Sequence, residues 1–136
     1  MTRRDVGRWT LAGFLGAAGT MHLLMPTPFF AQVPAWMPAP AAIIAVSGVV
    51  ELVLAAALIT AVAHRHLVGW IVAGYFVVIL PGNVSQAVTG QDAFGLTSDV
   101  ARWVRVAVQP AFVLWAMWCT HAWRTRASAR SGARTR

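Results

Sequence analysis

The segment from Ala41 to Ala63 is apolar throughout, interrupted only by Ser47, Gly48, Glu51 and Thr60, and comparable runs recur along the chain. About 20 apolar residues suffice for a helix to cross a hydrocarbon layer. Runs of this length without strict alternation do not read as strands. Val6 to Met25 is a second run, closed by Pro26 and Pro28, and Leu67 to Thr89 is a third, with Pro81 and Gly82 near its end. Asp99 to Trp123 is the fourth. Between the first two spans, Phe29 to Pro40 contains Pro34, Pro38 and Pro40, which predicts a loop with interfacial aromatics rather than a regular helix. Gly90 to Ser98 reads as a polar loop. The expected fold is an all-α membrane protein, a four-transmembrane-helix bundle over residues 1–123 with spans near 6–25, 41–63, 67–89 and 99–123. Residues 124–136 are small, polar and basic, and predict a disordered cytoplasmic tail lying near anionic lipid.

Composition supports this reading. Of 136 residues, 58% are hydrophobic and 11% charged, against about 25% charged in a soluble domain. That excludes a disordered chain, a disulfide scaffold and a water-soluble enzyme. Eleven arginines, no lysine and four acids (Asp5, Glu51, Asp92, Asp99) leave a net charge of +7. The arginines sit at the ends of apolar runs rather than on a soluble surface, which argues against nucleic acid. Arg3, Arg4 and Arg8 precede the first span, Arg65 lies between the second and third, and Arg124, Arg126, Arg130, Arg134 and Arg136 follow the fourth. By the positive-inside rule both termini are expected in the cytoplasm. Thr2-Arg3-Arg4 has the look of an export signal, but no small-x-small cleavage site follows, so the first span is expected to be retained.

The informative residues are those that apolar surroundings penalise. Glu51 lies about ten residues into the second span, about 15 Å deep at 1.5 Å per residue. Ser47 shares its face, and Gly48 permits close approach of a neighbouring helix. Arg102, Arg105 and Gln109 form a polar stripe along the outer half of the fourth span, where Arg102 can snorkel to the interface. Pairing of Arg105 with Glu51 is expected, since it offsets both desolvation costs. His22 and Asn83, near the outer ends of the first and third spans, complete the set. His22, Ser47, Glu51, Asn83, Arg105 and Gln109 are therefore either interhelical glue or the polar wall of a pocket. Trp36, Trp103, Trp115, Trp118 and Trp123 read as interfacial and packing residues, and Met21, Met25, Met37 and Cys119 as packing. A single cysteine excludes an intramolecular disulfide and a CxxC centre. No metal site, intrinsic cofactor or catalytic residue is expected.

In order and spacing these residues resemble the DoxX family of small four-helix bacterial membrane proteins. The resemblance covers Gly16 to Thr120. It rests on Gly19, His22, Pro26 and Phe29; on Val33-Pro34-Ala35-Trp36-Met37-Pro38; on Ser47-Gly48-Val49-Val50-Glu51; on Pro81-Gly82-Asn83; and on Arg105-Val106-Ala107-Val108-Gln109 followed by Trp115. Relatives often carry proline where Ala107 stands, and here Pro110 follows instead, which displaces the expected kink. The resemblance implies a multi-pass protein of the bacterial inner (plasma) membrane, associated with redox processes, with membrane lipids and a redox-enzyme partner around it.

Three functions follow from different classes. One is a non-catalytic or accessory membrane protein, alone or as a homo-oligomer, whose pocket binds a quinone or lipid. Another is the membrane subunit of a quinone-linked oxidoreductase of the thiosulfate:quinone type. His22 and His121 are expected near opposite membrane faces, unsuited to sharing a haem, so electrons would need a bound quinone or a partner's cofactor. The last is a small proton-coupled transporter using Glu51, disfavoured if Arg105 holds that acid ionised.

Overall fold

The computed structural model describes residues 1–124, and the expected basic tail from residue 125 onward lies outside them. These residues fold into five α-helices, with no strand among them: α1 (Arg3–Leu24), α2 (Pro40–Thr60), α3 (Arg65–Val78), α4 (Leu80–Thr89) and α5 (Asp99–Cys119). Short 3₁₀ turns occupy Thr27–Gln32, Val62–His64 and Ala122–Arg124.

Local chemistry sets these boundaries. Thr2 and Asp5 form a reciprocal capping box at the start of α1, and Met25, followed by Pro26, ends it. Pro40 opens α2 at the first helical position, where its missing N–H is no loss. Ser98 caps α5 through the Ala101 N–H, and α5 continues through Pro110 without interruption. Two expectations are corrected. The third span is two helices rather than one, because Pro81 has no N–H to continue the ladder and the chain re-nucleates at Leu80 after a bridging Ile79. The segment following α1 is also not all loop. Phe29 and Val33 donate to the carbonyls of Pro26 and Phe30, closing a 3₁₀ turn.

α1 packs mainly on α2, and α3 mainly on α5, with α1–α5 and α2–α3 contacts closing the bundle and α4 lying on α5. The α1–α2 crossing is set by Gly19 and Gly48. A Cβ on Gly19 would sit 2.6 Å from the Gly48 carbonyl oxygen, and one on Gly48 would sit 2.9 Å from that of Gly19. Gly69 gives α3 the same closeness to Thr120. The apolar core draws Leu11 and Leu15 from the first part of α1, Leu54 and Leu58 from the last part of α2, Val72 and Phe76 from α3, and Ala116 and Met117 from α5. Buried Arg8 ties off this end by donating to the Leu58 carbonyl.

Among the described residues, two segments are long and apolar enough to cross a membrane: Pro40–Thr60, and Val62–Thr89, which spans the α3–α4 joint. α1 and α5, at 22 and 21 residues, match the first of these in length, but carry more charged and polar side chains.

Candidate functional site

Opposite the packed end, the chain does not close on itself. The last part of α1, the first part of α2, the α3–α4 joint and the first part of α5 surround a cavity of about 660 Å³. Its roof comes from the connections, through Phe29, Gln32, Val33, Pro34 and Met37 on one side and Phe94 and Leu96 on the other. All six polar residues expected from sequence, His22, Ser47, Glu51, Asn83, Arg105 and Gln109, line this one cavity.

Glu51 is only 5% exposed. Its Oε1 accepts the Tyr75 hydroxyl hydrogen at 2.9 Å. Its Oε2 lies 2.9 Å from His22 Nδ1, and the same nitrogen lies 2.9 Å from the Ala18 carbonyl oxygen. A carbonyl can only accept, so Nδ1 carries the ring hydrogen and donates it to Ala18. Glu51 Oε2 is thus in polar contact with the imidazole yet has no aligned hydrogen-bond donor. The His22 ring stacks on Phe29, with centroids 3.6 Å apart, which fixes its plane. The Gly19–Gly48 approach makes this meeting possible, since His22 lies one turn beyond Gly19 and Glu51 three residues beyond Gly48.

Arg105 does not pair with Glu51, contrary to expectation. α2 packs on α1 and α3, whereas α5 packs on α3, α4 and α1, so the two side chains reach the cavity from different walls. Arg105 Nη1 donates to Gln86 Oε1 at 3.3 Å. Gln32, with its amide oxygen turned toward the guanidinium, accepts from Nη1 at 2.8 Å and from Nη2 at 2.7 Å. The Phe94 ring covers the guanidinium at 5.1 Å. Among the described residues Arg105 has no carboxylate partner. Gly82 lets the Gln32 segment approach, since a Cβ there would lie 2.6 Å from the Gln32 carbonyl oxygen.

Asn83 and Gln109 join at the helix break. Asn83 Nδ2 donates to Gln109 Oε1 at 3.1 Å, and Gln109 Nε2 donates to the Phe76 carbonyl at 2.8 Å. The relay supplies a donor to a backbone oxygen that α3 leaves over where it ends. Arg102 is buried beneath the roof loop. It binds Asp92 and Asp99 through separate nitrogens and donates to the Leu96 carbonyl at 3.1 Å, pinning the roof loop.

Tyr75, Gln32, Gln86 and Phe94 were not singled out from sequence. Tyr75 could have been, as the chain's one tyrosine, lying inside an apolar run. No cluster of potential metal ligands occurs among the described residues. His22 and His121 lie at opposite ends, His121 meeting Arg4 at the start of α1.

No curated protein and no solved structure matches the chain. A family model described as "Domain of unknown function (DUF8561)" matches residues 11–120, which include every cavity residue discussed above. The chain belongs to the DUF8561 family.

Proposed function

We propose that the chain is a DoxX-like four-span protein of the bacterial inner membrane, both termini cytoplasmic, that serves as a non-catalytic or accessory component of membrane redox processes. In this reading the cavity binds a small lipophilic molecule with a polar end, a quinone or a lipid. The outward surfaces of the helices support the membrane setting. Val6 and Trp9 on α1, Val46, Val49 and Val53 on α2, Trp70 and Ile71 on α3, and Trp103 and Leu114 on α5 are all exposed. Apolar area on that scale in a water-soluble monomer would be anomalous. Only 33% of the most apolar window of α2 is buried within the chain, whereas a soluble core helix is mostly enclosed. Exposed Thr10, Thr20, Thr60 and Thr89 each donate to the carbonyl four residues back, as hydroxyls do where water is scarce.

The observation that carries the binding reading is the convergence of six polar side chains from four helices, with Gln32 and Tyr75, on one mainly apolar cavity, the usual make-up of a small-molecule site. Glu51 meets His22 and Tyr75, and Asn83 meets Gln109, yet these contacts leave about 660 Å³ of space among the six. Mass spectrometry of protein purified in mild detergent is expected to find a stoichiometric quinone or lipid, reduced in His22→Ala and Asn83→Ala. Protein that retains its fold but carries no such molecule would overturn the reading.

The separation of Arg105 from Glu51 favours a second reading, since among the described residues no arginine holds this buried acid: a small proton-coupled transporter. Substrate-linked proton flux in liposomes, lost in Glu51→Gln, would select it over the first.

A further inference from the structure

This inference rests on the cavity being a site for a lipophilic molecule, and it concerns the chemistry of that molecule's polar end. Glu51 is 95% buried by its 5% exposure, and as a carboxylate it can only accept hydrogen bonds. Oε1 is served by Tyr75, but Oε2 has no aligned donor, because the His22 N–H is directed to Ala18. A buried acceptor in that state favours a ligand that brings a hydroxyl, and disfavours one that presents only carbonyl oxygens, which would set lone pair against lone pair. From another wall Arg105, a donor only, faces neutral amide oxygens and, among the described residues, no carboxylate. Six aromatic rings line the space between, those of Phe14, Phe29, Tyr75, Phe76, Phe94 and Phe112. Such walls suit a flat ring, through offset stacking and edge contacts.

We propose that the cavity takes a hydroxylated aromatic ring, a phenol or hydroquinone, whose O–H donates to Glu51 Oε2 while an oxygen of the same ring accepts from Arg105. A hydroquinone satisfies both poles and the corresponding quinone only the second. The site therefore favours the reduced form of a quinone pair.

The test compares the full-length protein in lipid nanodiscs with decyl-ubiquinol and decyl-ubiquinone, each titrated to equilibrium without oxygen. The quinol is expected to bind roughly tenfold tighter or better, the scale of one hydrogen bond to a charged group. The di-O-methylated quinol, which has no O–H, should bind as weakly as the quinone. Glu51→Gln can donate to a carbonyl as well as accept, and should draw the two affinities together. Equal affinities in the wild type, or tighter quinone, would overturn the proposal while leaving a lipophilic site standing. Binding of neither form would overturn it too, and together with the lack of any co-purified lipid would remove the underlying reading. The wild-type comparison decides the matter even if the glutamine variant fails to fold.

Discussion

Tyr75 on α3 donates its hydroxyl hydrogen to Oε1 of Glu51 on α2, 2.9 Å away. The contact bridges two helices that otherwise touch sparingly. Tyr75→Phe would leave a second carboxylate oxygen of Glu51 without a donor, and destabilisation of about 1–3 kcal/mol is expected. Thermal unfolding in detergent measures it. Because Glu51 and Arg105 share no contact, Glu51→Gln and Arg105→Gln should add to within about 0.5 kcal/mol. Substantial mutual rescue would contradict the arrangement of the cavity walls.

Gly19→Ala and Gly48→Ala should each be destabilising, by about 1–3 kcal/mol, because the new methyl meets backbone oxygen rather than a side chain that can turn away. Gly13 and Gly74 have nothing within 4 Å of a built Cβ. Alanine at either is expected to be neutral or stabilising by up to about 1 kcal/mol through helix propensity. The ranking of four melting temperatures checks the helix crossing directly.

Gln109→Leu removes the donor to the Phe76 carbonyl and the acceptor for Asn83 together. A loss of about 2–5 kcal/mol is expected, the sum of two orphaned groups. Asn83→Leu orphans only one side-chain atom and should cost less. If Gln109→Leu proves as stable as wild type, the relay contributes nothing to the helix joint.

Arg102 holds the roof loop through Asp92, Asp99 and the Leu96 carbonyl. Arg102→Gln is expected to raise amide hydrogen exchange across 91–97 by roughly tenfold or more, since several charge-assisted bonds are lost at once. Exchange in the core of α2 should not change.

At the start of α1, Thr2 holds the Asp5 carboxyl below the usual carboxylate range, first through its backbone N–H and then through its hydroxyl, with Arg8 adding to the effect. A carboxyl depressed in the folded state stabilises it above the ordinary carboxylate pKa, and that contribution is lost as pH falls through the lowered value. Fraying of the first turn of α1 should therefore increase with acid, as followed by amide exchange at 3–6. Asp5→Asn should remove the pH dependence.

Much of this architecture was legible in the residues. Three of the four apolar runs match single helices within a few positions, and the third covers α3 and α4 together, because length and hydropathy mark an apolar helix but not a break within it. The six polar side chains were legible for the opposite reason, since apolar surroundings penalise each of them. Which groups would pair was not legible. Charge and depth pair Glu51 with Arg105, and neither says which helices adjoin. The packing of α2 on α1 and α3 delivered His22 and Tyr75 instead. Gln32 and Phe94 stayed hidden because each lies in a connecting segment with no periodicity to set its direction. Pro81 is visible in the sequence, but the bond from Gln109 to the Phe76 carbonyl beside the break is not, because it depends on α3 packing against α5.

The close-packed core and the hollow lie at opposite ends of the same helices. Rigidity and recognition are therefore assigned to separate residues along each rod. Leu11, Leu58 and Val72 can hold the frame constant while positions such as Val33, Met37 or Val104 vary. A lineage built on this frame could change its cargo by exchanging a few roof and wall side chains, without renegotiating how the protein folds.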